Sequence, residues 1–165
     1  MKKLVLIGAL LTTKLLVAQA PEYNDLRILF ADGDYEKLVR ASEKYTMNDK
    51  TKSDALPHMW MGRGLYKVSL SGSDNEKYKN AYKESIGEVG KSIKYDKSGD
   101  VQSEYAEFYD EFKNSLVETI RNEIEVPDYK KASTWILKYY KINLTSIGAK
   151  YLEGVCKYRN SDKGG

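Results

Sequence analysis

Cysteine and histidine are nearly missing from this chain: its 165 residues contain one of each, Cys156 and His58. A lone cysteine excludes an internal disulfide, although small exported domains often depend on them. Cys156 therefore reads as a small buried apolar residue of the last helix. A lone histidine with no cysteine pair excludes zinc sites of the usual ligand spacing, and no metal or cofactor is expected. A serine nucleophile would have to enlist His58, and the chain has no Gly-x-Ser-x-Gly elbow. His58 reads instead as a partly exposed packing residue at a helix start. Proline is also scarce, with three residues, so little interrupts a helix.

Net charge is low as well. The 27 Lys+Arg and 24 Asp+Glu leave +3, and residues 1–20 hold three lysines and no acid, so the remainder is neutral. A neutral domain has no overall field to draw nucleic acid or an anionic membrane, and a contact governed by packing should depend little on salt. Lys2-Lys3, the apolar Leu4 to Leu11 and the small-residue end Ala18-Gln19-Ala20 read as a secretory signal peptide over 1–20. The apolar run is too short to span a bilayer. Cleavage follows Ala18 or Ala20, with Pro21 hindering the second, and no cysteine stands at the junction to carry a lipid. The expectation is a periplasmic or secreted protein without an integral span once the signal is removed. One domain over 21–160 and a disordered polar tail over 161–165 complete it. Such a domain buries roughly two-thirds of its unfolded surface.

Tyrosine, by contrast, is abundant at 14 residues, and three of them keep a period: Tyr35, Tyr82 and Tyr129 lie 47 apart. Each opens a helical phrase with a small or apolar residue at +3 (Leu38, Ser85, Ala132) and further residues at +7 and +10. A fixed period of this size marks a helical repeat array. The pattern predicts an all-α fold of stacked antiparallel helix pairs with about seven helices. Their approximate spans are 22–30, 34–45, 54–68, a long helix ending near 95, 101–124, 129–142 and 145–158. The fifth carries the stripe Tyr105, Phe108, Tyr109, Phe112, Leu116, Ile120 at the spacing of one buried face. Asp34 is expected to cap the second helix after Gly33 ends the first. Lys97 to Asp100 reads as a hinge between halves.

Phe30-Ala-Asp-Gly33-Asp34-Tyr35-Glu-Lys-Leu38 resembles the turn and second-helix start of a tetratricopeptide repeat, and Pro127-Asp128-Tyr129-Lys-Lys-Ala132 resembles it again. The resemblance implies that Leu38, Ser85 and Ala132 let one helix of a pair approach the other. It also implies that Gly62 and Gly154 are the first-helix glycines of close contact. The period of 47 exceeds that family's 34, and only Ala132 carries the family's preferred residue. What the resemblance implies for function is binding of a protein segment on a concave face.

Surplus aromatics point the same way, because Tyr and Trp give large contact area at low entropy cost. Arg63, Tyr66, Tyr140 and Tyr151 are the candidates for an exposed protein-binding face. Ser73-Asp74-Asn75 matches a β-lactamase element by letters alone, without its companion motifs. The reading is a non-catalytic adaptor or scaffold that binds another protein or complex subunit of the cell envelope. Secretion, motility or nutrient-uptake machines are its expected setting. The Lys/Tyr/Asn-rich composition resembles secreted proteins of Bacteroidota. Two alternatives stay open: a small envelope hydrolase using two of Glu104, Glu107, Asp110 and Glu111, or a carrier of a small apolar ligand.

Overall fold

A computed structural model describes residues 23–161. Residues 1–20, read above as a signal peptide, and residues 162–165, read as part of a tail, lie outside the described residues. The described chain is all-helical: α1 (Asn24–Ala31), α2 (Tyr35–Met47), α3 (Ala55–Ser71), α4 (Ala81–Tyr95), α5 (Asp100–Glu104), α6 (Ala106–Glu125), α7 (Tyr129–Tyr139) and α8 (Ile147–Ser161). A single 3-10 turn, Glu76–Tyr78, leads into α4.

The helices pack as consecutive pairs in two layers. Ring contacts join α3 to α6 (Tyr66 on Phe112) and α4 to α7 (Tyr82 on Trp135), so α1, α3, α6 and α8 form one layer and α2, α4 and α7 the other. Tyr35 and Tyr129 are the first residues of α2 and α7, and Tyr82 is the second of α4. The period therefore marks the start of each helix in the second layer. At +3 and +7 the buried residues are Leu38 and Ser42, Ser85 and Val89, and Ala132 and Ile136. Three- and four-residue steps keep one face of each helix turned inward.

Several boundaries differ from the sequence expectation. The predicted fifth helix is two, parted at Tyr105 (φ −111, ψ 29), whose ring meets the edge of Trp60 at 5.3 Å. Its hydroxyl also accepts from Arg27 at 3.2 Å. A periodic stripe continues through such a one-residue bend and so conceals it. Asp34 stands at the start of α2, but its carboxylate binds Lys37 at 2.6 Å instead of capping, whereas Asp128 accepts from the Lys131 amide at 3.0 Å. Ser161 belongs to α8 and not to a tail. At the turn over 97–100, Asp96 accepts from the Gly99 and Gln102 amides, and one core cluster includes residues on both sides of it, from Tyr23 to Cys156.

The closest packing is between α3 and α4. A Cβ on Gly62 would lie 2.7 Å from a Val89 methyl and 3.1 Å from its backbone nitrogen. Gly64 faces α2 a little less tightly, its Cβ position lying 3.0 Å from Val39 and 3.2 Å from Leu38. Only glycine permits that approach.

Candidate functional site

The four residues proposed for one face do not share one. Tyr66 is 4% exposed, its ring edge-on to Phe112 at 5.2 Å, so it is a core residue, and its exposure is corrected. Arg63 is half-buried, with its guanidinium 3.8 Å from the Phe30 ring centre and near Trp60 and Phe108. Burial lowers its guanidinium pKa, against the opposing pull of Glu111. A cation held among three rings is worth on the order of 1–2 kcal/mol there, so Arg63 joins α1, α3 and α6. Tyr140 is half-buried. Tyr151 alone stands clear, at 72%.

His58 is buried rather than partly exposed. Its Nε2 donates to the Lys52 carbonyl at 2.9 Å, and Nδ1 lies 2.6 Å from Glu88 Oε2. Burial pushes the Glu88 carboxyl up, but hydrogen bonds from His58 and Lys91 outweigh it and hold the group below the ordinary carboxylate range. With both nitrogens engaged, the ring has no atom left for a substrate. It fastens the α2–α3 connection to α4.

Glu104, Glu107, Asp110 and Glu111 are all exposed, and three of them bind bases: Glu104 with Arg27, Asp110 with Lys113, Glu111 with Lys67. They lie on a solvated face. Among the described residues, no group of three or more His, Cys, Asp or Glu is placed to hold a metal ion. Cys156 is buried, and burial raises its thiol pKa.

The built surface lies at the C-terminal end. Helix α8 packs on α7 through buried Ala149 and Cys156, while Ile147 (82% exposed), Tyr151 and Tyr158 (66%) face outward. Steps of four and seven put these three on one side of the helix. Leu144, just before α8, is 76% exposed. Gly154 lies within this stripe with nothing within 4 Å of its Cβ position, so it is not the close helix contact expected of it. Tyr151, Gly154, Val155 and Tyr158, with Lys150 and Arg159, line an open groove of about 530 Å³. On the other side of α8, Val117, Ile120, Tyr139, Ala149 and Leu152 line an apolar cleft of about 170 Å³.

Charge is divided along the chain, which the neutral total hides. Residues 100–128 carry nine acids and two bases, while residues 129–161 carry seven bases and one acid, Glu153. A charge tally kept helix by helix would have found this. The exposed apolar stripe thus sits inside the basic end of the molecule. No protein-family model, curated protein or solved structure matches this chain.

Proposed function

We propose that this protein is an exported, tetratricopeptide-like adaptor that binds a segment of another envelope protein through the outer face of α8. The observation that carries the reading is the stripe Ile147, Tyr151 and Tyr158 on a terminal helix. A monomer rarely leaves large apolar side chains contiguous in water, and such patches mark interaction surfaces. Its two tyrosines make it a better anchor, since Tyr combines contact area with little side-chain entropy. Lys2-Lys3, the apolar run and Ala18-Gln19-Ala20 support export. The three tyrosine-led helices of the second layer support the tetratricopeptide-like stack. Among the described residues, no helix is long and apolar enough to cross a membrane.

The experiment is affinity purification of the tagged protein from cross-linked envelopes, beside Tyr151→Asp. A stoichiometric partner, lost in the variant, is expected. A partner retained by Tyr151→Asp would place binding elsewhere, and its absence from both would sink the adaptor.

The cleft between α6 and α8 supports a second reading, a carrier of a small apolar ligand. Its volume of about 170 Å³ matches a ring or short acyl chain. Octanoate shifting the methyl resonances of Val117 and Leu152, and not those of Leu70, would establish it; unchanged spectra would remove it.

A further inference from the structure

We infer that the occupant of the α8 face is an acidic amphipathic helix of another protein. This rests on the adaptor reading and adds the chemistry of the partner. Ile147 to Tyr158 covers three turns, roughly 16 Å along the axis, the length over which a docked helix offers its i, i+4 and i+7 anchors. Gly154 opens a hole between Tyr151 and Tyr158, one turn from each, that a partner's side chain fills. A lipid surface has no use for such a notch, whereas knob-in-hole packing requires one.

The rim decides the charge. Lys150 and Arg159 border the groove, Lys157 lies on the same helix, and Glu153 is its only acid, already bound to Lys157 at 2.6 Å. A second copy docked on this face sets its own basic rim against the first. The chain's residues 1–20 bring three lysines and no acid. Both like-charge occupants are disfavoured, and a helix edged with Asp and Glu is complementary.

The test titrates the full chain with three synthetic amphipathic helices of about 21 residues, alike in their leucine stripe and rimmed by Glu, Gln or Lys. The Glu-rimmed helix should bind about tenfold tighter than the Gln-rimmed one, the effect of a few exposed ion pairs, and lose that margin near 0.5 M salt. Tyr151→Asp should abolish binding, and Lys150→Glu with Arg159→Glu should turn the preference toward the Lys-rimmed helix. Both sites are exposed, so circular dichroism of the variants should match the parent. Equal binding of all three helices, abolished by Tyr151→Asp, overturns the acidic partner and leaves the docking face standing. Failure of all three to bind overturns both. Sedimentation as a dimer that Tyr151→Asp dissociates assigns the face to a second copy, and equally tight binding of phosphatidylglycerol vesicles assigns it to a membrane. Either result overturns the proposal.

Discussion

Helices α3 and α8 are members of the same layer, and each has a glycine in its middle, yet their surroundings are opposite. Helix α3 is enclosed: α2 and α4 press on Gly64 and Gly62, α6 covers Tyr66, and His58 is fixed at its start. Helix α8 buries Ala149 and Cys156 on one side and leaves Ile147, Tyr151 and Tyr158 bare on the other. The difference teaches that an aromatic stripe or a helix glycine acquires its meaning from the neighbour that arrives. Helix α8 has the surface of a helix inside a stack and only one side of the stack around it.

Substitutions can sharpen this contrast. The largest effect is expected at the tyrosines. Tyr66→Ala should cost about 3–5 kcal/mol by leaving a cavity against Phe112, while Tyr151→Ala should stay within about 0.5 kcal/mol. Urea unfolding of the two variants checks both, and equal losses would erase the distinction between the helices. Next, Glu88→Ala should cost about 3 kcal/mol, because the buried Nδ1 of His58 loses its acceptor. The Glu88 carboxyl is held below its unfolded value, so its contribution is complete above the unfolded carboxylate pKa and lost as pH falls through the folded one. The gap between parent and Glu88→Gln should therefore narrow from pH 7 toward pH 3, and a constant gap would refute the pair. Gly62→Ala should cost about 1–3 kcal/mol by forcing α3 from Val89. The smallest change has the other sign: Gly154→Ala should stabilise by up to about 1 kcal/mol, since its Cβ position is open and alanine is the better helix former. Thermal melts of this glycine pair test the contrast most directly.

Periodicity carried most of the architecture. The tyrosines opening α2, α4 and α7 and the inward residues at +3 and +7 follow from helical geometry, which any sequence displays openly. The site was less legible. Nothing in a tyrosine says which side of a helix will meet a neighbour, so Tyr66 and Tyr151 looked alike. Gly62 and Gly154 looked alike for the same reason. The His58–Glu88 contact spans thirty residues without a shared pattern, and only the α3–α4 crossing brings it about. The basic end was readable, but summing over the whole chain cancelled it against the acidic residues of α5 and α6.

Sealing the only imidazole of the chain has a use of its own. A reagent that acylates histidine, such as diethyl pyrocarbonate, does not reach this ring until α3 parts from α4 and the Lys52 carbonyl lets go. Its rate of uptake is then a clock for the opening of the tightest seam in the molecule, read from a single atom pair without a label. A helix bound at α8 should leave that clock unchanged if it touches only the far end, and slow it if the stack tightens as one body.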